Sequence, residues 1–235
     1  MTDAADRIFC AIDTAELAEA ERLARALGGQ VGGLKLGKEF FTAHGPEGVK
    51  RIAGAGAGAR IFLDLKFHDI PNTVAGAVRA AAPLGCAMLT IHASGGAAMV
   101  RAAVEARGTA RAPLILAVTV LTSLGETELA AVGQKGPIAD QVLRLARMAR
   151  DAGADGLVAS PHEVRALREA LGRDAVLVVP GVRPAWAGAD DQKRVMGPGE
   201  AVAAGADYLV IGRPITRSPD PADAARRIAA EIEGA

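Results

Sequence analysis

The sequence predicts an α/β fold of the (β/α)8 TIM-barrel class, a single catalytic domain over residues 1–235. Three observations lead there. Eight short apolar runs recur along the chain, helix-like segments separate them, and 235 residues fit one closed barrel better than an open sheet. Most runs are continuously apolar, as parallel strands buried on both faces must be. Repeated strand–helix units imply right-handed crossovers and a parallel sheet.

The elements follow in order. The first run, Ile8–Ile12, ends at Asp13, and the stripe Leu17, Ala20, Leu23, Ala24 and Leu27 then has helical spacing. The second run, Gly33–Leu36, holds Lys35. The Ala/Gly-rich stretch Ala53–Ala59 precedes the third run, so it reads as a helix end and turn. A dinucleotide loop would have to follow a strand. The third run, Ile61–Leu65, contains Asp64 and continues through Lys66 to Asp69, and the fourth, Met88–Ile91, ends at His92. The fifth, Leu114–Val120, carries Thr119 and leads to Thr122. Pro137 suits a first helical turn, before the stripe Ile138, Val142, Leu145 and Ala149. The sixth run, Gly156–Val158, leads to Ser160 and the helix-start signal Pro161. The seventh, Val176–Val179, is followed by Arg183 and by the loop Pro184–Gln192, which holds Trp186. Pro198 marks another helix start. The eighth run, Tyr208–Ile211, runs into Gly212-Arg213, and Asp220 is positioned to cap a helix opening at Pro221.

Lys plus Arg and Asp plus Glu both number 27, so net charge favours neither a nucleic-acid nor a membrane-surface partner. The N-terminal residues Met1–Arg7 are polar, and no apolar run approaches the ~20 residues that span a bilayer. A soluble, cytoplasmic protein is expected. Cys10 and Cys86 lie in apolar runs and read as buried thiols of a reducing compartment. His44, His68, His92 and His162 share no ligand spacing with one another or with the cysteines, so no metal site is expected. His68 and His92 read as hydrogen-bonded structural histidines, and Trp186 as a packing residue or part of a loop cover.

In such a barrel, chemistry gathers at the C-terminal ends of the strands. The strongest segment there is Asp64-Leu65-Lys66-Phe67-His68-Asp69-Ile70-Pro71-Asn72-Thr73. Strand alternation puts Asp64 and Lys66 on one face, with Lys35 a strand away. If that face is inward, carboxylate and ammonium share a confined space, and burial is tolerable only with every charge paired. A lysine beside carboxylates is a charged proton donor rather than a Schiff-base nucleophile. Salt bridges at a solvated strand end fit the same spacing, which does not decide between them. A second signal is Arg183 after the seventh run and Gly212-Arg213 after the eighth. Barrel phosphate sites lie there, and guanidinium groups suit bidentate phosphate binding. Surface arginines beside turns remain the alternative.

The chain resembles the orotidine 5′-phosphate decarboxylase family. The segment Phe62–Thr73 carries the resemblance, joined in family order by Ala11-Ile12-Asp13, Leu34-Lys35-Leu36-Gly37, His92-Ala93-Ser94-Gly95-Gly96, Val118–Ser123, Pro180-Gly181-Val182-Arg183-Pro184 and Ile211-Gly212-Arg213-Pro214. The resemblance implies cofactor-independent decarboxylation of orotidine 5′-phosphate to UMP, the last step of de novo pyrimidine synthesis. It implies a charged catalytic network of Lys35, Asp64 and Lys66, completed by Asp69 of the other subunit of a homodimer. Lys66 would protonate C6 of the pyrimidine. Asp13 and the second subunit's Thr73 would hold the ribose, Thr122 would contact the base, and Arg183, Gln192, Gly212 and Arg213 would bind phosphate. No pyridoxal, thiamine or metal motif supplies an electron sink. The alternatives are a magnesium-dependent keto-sugar-phosphate decarboxylase or hexulose-phosphate synthase, which carry a glutamate where Lys35 stands, and a non-catalytic phosphate-binding barrel.

Overall fold

A computed structural model describes residues 3–109, 112–134, 136–187 and 196–235. Eight parallel strands close into a barrel in sequence order, the eighth pairing with the first. They are β1 (Ile8–Ile12), β2 (Gly33–Gly37), β3 (Arg60–Phe67), β4 (Met88–His92), β5 (Leu114–Val118), β6 (Gly156–Val158), β7 (Val176–Pro180) and β8 (Tyr208–Ile211). All eight expected runs are strands. β3 extends two residues beyond its apolar run, and β5 stops two residues short of Val120.

The helices that shape the barrel are α1 (Leu17–Leu27), α2 (Lys38–Ala55), α3 (Pro71–Ala81), α4 (Gly96–Ala106), α5 (Glu126–Ala131), α6 (Ile138–Asp151), α7 (Val164–Leu171), α8 (Pro198–Ala203), α9 (Arg213–Thr216) and α10 (Pro221–Glu233). Their stripes face the strands: Ala20, Leu23, Ala24 and Leu27 of α1 are buried, as are Val142, Leu145 and Ala149 of α6. The Asp220 carboxylate accepts the Asp223 amide and caps α10. Pro137 stands at the N-cap of α6 rather than inside its first turn. Gly45 breaks α2 at φ 56°, just before Pro46, whose ring the helix interior does not tolerate. The stretch after α2 is a turn into β3, as expected. No described helix is long and apolar enough to cross a membrane.

Two apolar layers follow from the strand period of two. One lies between sheet and helices. The other fills the barrel, where Phe9, Phe62, Met88, Leu116, Val178 and Val210 meet. The N-terminal end is plugged. Phe9 meets Phe62 and Tyr208 edge-on, with ring centroids 6.0 and 5.4 Å apart, and the Arg60 guanidinium lies 5.1 and 5.2 Å from the Phe9 and Tyr208 ring centroids. Arg60 also donates to the carbonyls of Gly32 and Asp6, so its charge is satisfied there. Closing this end leaves the C-terminal end as the mouth.

A repeated device fixes the strands at the plugged end. Asp155, just before β6, accepts the Ile115 amide of β5 at 2.7 Å and pairs with Arg107. Asp207, just before β8, accepts the Leu177 amide of β7 at 2.8 Å and pairs with Arg168 at 2.8 Å. Each carboxylate ties the start of one strand to a neighbouring strand. Asp207→Ala is expected to lower stability by about 1–3 kcal/mol, because it orphans the Leu177 amide and removes the one carboxylate partner of Arg168, which keeps its bonds to the carbonyls of Gly172, Ala175 and Gly205. That corresponds to roughly 2–4 °C in Tm for each kcal/mol in a chain of this size. Activity well below the melting temperature should be unaffected, since the residue lies at the end opposite the mouth. An unchanged Tm would show that Asp207 does not hold this edge.

Candidate active site

The barrel mouth opens on a cavity of about 310 Å³. Its polar lining is Asp13 after β1, Lys35 on β2, Asp64 and Lys66 on β3, Thr122 after β5, Arg183 after β7, and Gly212-Arg213 after β8. The remaining wall is apolar and includes Phe62, Val118, Val158 and Val210. Eight sequence-predicted site residues therefore share one cavity. Asp69 and Thr73 do not line it. Both are exposed in the β3–α3 region, and the Asp69 carboxylate accepts the amide of Ile70 at 2.6 Å. Gln192 lies outside the described residues. Of the other polar groups at the strand ends, Thr119 is buried with its hydroxyl donating to the Val158 carbonyl, and the Ser160 amide donates to Glu163 in a capping box.

The charged residues form a chain of alternating sign. Lys35 Nζ lies 3.1 Å from Asp13 Oδ1 and 3.7 Å from Asp64 Oδ2. Lys66 Nζ donates to both Asp64 oxygens at 2.7 Å. The Asp64 side chain is only 13% exposed and the Lys35 side chain 10%. Burial pushes the Asp64 carboxyl up, but Lys35, Lys66 and the hydrogen bonds from Lys66 and Thr90 outweigh it, so its pKa lies below the usual carboxylate range. Two ammonium groups flank the one buried carboxylate, which makes its burial tolerable, and the exposed Asp13 faces Lys35.

The backbone that delivers Lys66 is irregular. β3 and β4 pair at Leu63↔Leu89 and next at Phe67↔Ile91, so residues 64–66 oppose Thr90 alone. Within this bulge Lys66 has φ +52°, a left-handed conformation that costs a non-glycine residue about 1–3 kcal/mol. Simple strand alternation thus placed Asp64 and Lys66 on the same side, but a bulge makes the close contact. Thr90, fully buried, bridges it: its hydroxyl donates to Asp64 Oδ1 and accepts the Lys66 amide, both at 2.9 Å. Sequence reasoning missed Thr90, since a threonine in a β-branched run reads as strand propensity.

It also gave no role to Gly37, which leaves room for the Asp13–Lys35 pair. A Cβ there would come 2.9 Å from Asp13 Oδ1 and 3.3 Å from Lys35 Nζ, pressing on the ion pair. His92 ends β4 outside the cavity lining, its ring centroid 5.4 Å from that of His68. Burial, then His68, Lys38 and Lys66, lower its pKa to about 4 against a smaller opposing effect of Asp64, so it is a neutral imidazole near pH 7. Cys10 and Cys86 are buried free thiols, with burial pushing Cys10 up to about 12 and Cys86 up to about 11. Trp186 packs under Arg227, whose guanidinium lies 4.2 Å from its ring centroid. Among the described residues no three His, Cys, Asp or Glu side chains gather as a metal-binding group.

Arg183 and Arg213 bring guanidinium groups to the β7–β8 side of the cavity and Lys66 an ammonium to the β3 side, with an apolar wall completing the lining.

Comparison with known proteins agrees. Residues 6–228 match the model of the Orotidine 5'-phosphate decarboxylase / HUMPS family. The chain is 55% identical over 231 residues to an orotidine 5'-phosphate decarboxylase of Paramagnetospirillum magneticum, covering 96% of this chain and 97% of that one. It is 57% identical over 227 residues to one from Anaeromyxobacter sp. (strain K), covering 97% and 98%. A solved orotidine 5'-phosphate decarboxylase from Lactobacillus acidophilus superposes with a TM-score of 0.83 at 38% identity, covering 96% of this chain and 98% of that one. With the charged network, the barrel and these likenesses in agreement, the chain belongs to the orotidine 5'-phosphate decarboxylase / HUMPS family.

Proposed function

We propose that the protein decarboxylates orotidine 5′-phosphate to UMP, the closing step of pyrimidine nucleotide synthesis, without metal or organic cofactor, as a cytoplasmic homodimer with shared sites. The observation that carries this reading is the Asp13–Lys35–Asp64–Lys66 network facing the Arg183 and Arg213 rim across one cavity. The substrate phosphate sits at Arg183, Gly212 and Arg213, with Gln192 contributing. The ribose hydroxyls meet Asp13 and Thr73 of the second subunit, and Thr122 contacts the base. The base lies along the apolar wall with C6 beside Lys66.

The chemistry then follows from charge. The bond between C6 and the carboxylate breaks, its electron pair stays on C6, and carbon dioxide leaves. Lys66 Nζ gives its proton to C6, and the resulting amine is reprotonated from water. No group delocalises the carbanion, so stabilisation comes from the fixed ammonium beside it. Holding the phosphate far from the breaking bond lets remote binding energy position the ring.

Lys35 separates this reading from the magnesium-dependent relatives. Its ammonium lies between the two carboxylates a divalent cation would otherwise use, at 3.1 and 3.7 Å, and repels such an ion. Ultraviolet loss of orotidine 5′-phosphate is therefore expected to proceed unchanged in excess EDTA with nothing added. Complete loss on chelation, restored by Mg²⁺, would favour the keto-sugar chemistry. No turnover at all would favour the non-catalytic barrel.

Lys66→Ala is expected to lower kcat by at least about 10²–10⁴, the range for losing a positioned acid. UMP affinity should change by less than about tenfold, because the phosphate grip is remote from Lys66. Turnover within about tenfold of wild type would overturn the proton-donor role.

Shared sites are supported by the placement of Asp69 and Thr73, exposed outside their own cavity, and by Ile70, which is 66% exposed beside them. A twofold dimer would carry these residues into the neighbouring mouth and bury Ile70. The test mixes inactive Lys66→Ala and Asp69→Ala proteins under subunit exchange. Mixed dimers would hold one doubly defective and one intact site, so about a quarter of all sites should regain activity. No recovery, with exchange confirmed by mass spectrometry, would place Asp69 in its own chain's chemistry or in none.

A further inference from the structure

We infer that Thr90 is a positioning residue for the Asp64–Lys66 couple, its hydroxyl holding the bulged backbone of β3 so that the Lys66 ammonium stays at Asp64 and faces the cavity. This deepens the decarboxylase reading and rests on it.

The geometry points to this role in three ways. First, the β3–β4 ladder is interrupted for residues 64–66, and Thr90 is the β4 residue opposite the gap. The Lys66 amide goes to Thr90 Oγ1 at 2.9 Å instead of to a strand carbonyl. Second, the same hydroxyl spends its proton on Asp64 Oδ1 at 2.9 Å, so one oxygen links the carboxylate to the backbone of the lysine that pairs with it. Third, Thr90 is fully buried and shares the inward side of β4 with Met88, where an apolar residue would pack equally well. A hydroxyl in that position is satisfied only by these two partners, and they are satisfied by it. Lys66 sits at φ +52°, so its conformation needs an external hold, and the ring of contacts Lys66 amide–Thr90–Asp64–Lys66 ammonium provides one. Thr90 does not line the cavity and touches no reacting atom. It acts through Asp64 and Lys66.

The test compares Thr90→Val, which keeps the shape and removes the hydroxyl, with Thr90→Ser, which keeps the hydroxyl. Thr90→Val is expected to lower kcat by roughly ten- to a hundredfold, the scale of removing a buried hydrogen-bond partner. The KM for orotidine 5′-phosphate and the Kd for UMP should move much less, because the anion grip is on the β7–β8 side. Thr90→Ser should recover most of kcat. The groups facing Asp64 are Lys35 from β2, Lys66 from β3, His92 on the β4 side and, through Lys35, Asp13 from β1. Thr90→Val changes none of these charges but removes one donor to the carboxylate. The acid limb of kcat/KM should therefore shift to higher pH. A ¹³C-carboxylate titration of Asp64 in each protein should show the same upward shift for Thr90→Val and none for Thr90→Ser. The titration needs no turnover and so reads the hold independently of the reaction. Wild-type protein without decarboxylase activity would sink the decarboxylase reading. An Asp64 titration identical in wild type and Thr90→Val, or a Thr90→Ser protein as impaired as Thr90→Val, would sink the positioning role. A Thr90→Val protein that does not fold, beside a folded Thr90→Ser protein with impaired kcat and an altered Asp64 titration, would overturn it too, since the hydroxyl would then not be sufficient.

Discussion

One carboxylate held between two ammonium groups organises the functional half of this molecule. Asp64 sits near the top of a barrel whose interior is otherwise packed with Phe9, Phe62, Met88, Leu116, Val178 and Val210. A single ion there would carry a desolvation penalty of several kcal/mol. Lys35 from one strand and Lys66 from its own remove that penalty, and Asp13 balances Lys35 in turn. Asp64 is the hinge of the set: it pairs with both lysines, and its removal would leave Lys66 without its carboxylate. The network also limits its surroundings. Gly37 leaves space beside Asp13 and Lys35, β3 bulges, and β4 presents the Thr90 hydroxyl to Asp64.

The two ends of the barrel divide the labour. At the N-terminal end, aromatic packing, the Arg60 guanidinium and the Asp155 and Asp207 strand ties close the structure and hold its register. Arg60, Asp155 and Asp207 there are matched to the backbone or to another fixed charge. At the C-terminal end, Lys66 keeps a strained backbone and a charged tip on the cavity wall. That strain of about 1–3 kcal/mol persists because a closed sheet, covered on its outer side by helices, does not yield at one residue. A rigid scaffold tolerates a costly local conformation, and here it fixes the Lys66 ammonium against Asp64 at the cavity wall. Electrostatic stabilisation of a carbanion needs such fixed charges, since a side chain that had to reorient would forfeit part of the advantage.

Much of this was legible in the residues. Apolar runs bounded by turn residues located all eight strands within about two residues, because parallel strands buried on both faces leave no freedom for polar positions. Helix stripes and the Asp220 cap were legible for the same local reasons. The rule that barrel chemistry gathers at the strand ends correctly assembled Asp13, Lys35, Asp64, Lys66, Thr122, Arg183, Gly212 and Arg213 on one cavity. The same rule also nominated Thr119, His92 and Ser160, which line no part of it, because the strand-end position does not say which way a side chain turns.

What the sequence determined by itself is the barrel, the order of its strands and the stock of charges at its mouth, because periodicity and strand-end position are local properties of the chain. Only the tertiary structure decided how those charges meet. The bulge between Leu63 and Phe67 is a property of the β3–β4 pairing, and neither strand alone carries a sign of it. Thr90 gains its meaning from that gap, and Gly37 from the approach of Asp13 and Lys35 to within 3.4 Å of where its side chain would stand. Distances between strands are settled by closure of the sheet, and it is those distances that turn four ordinary charged residues into one network.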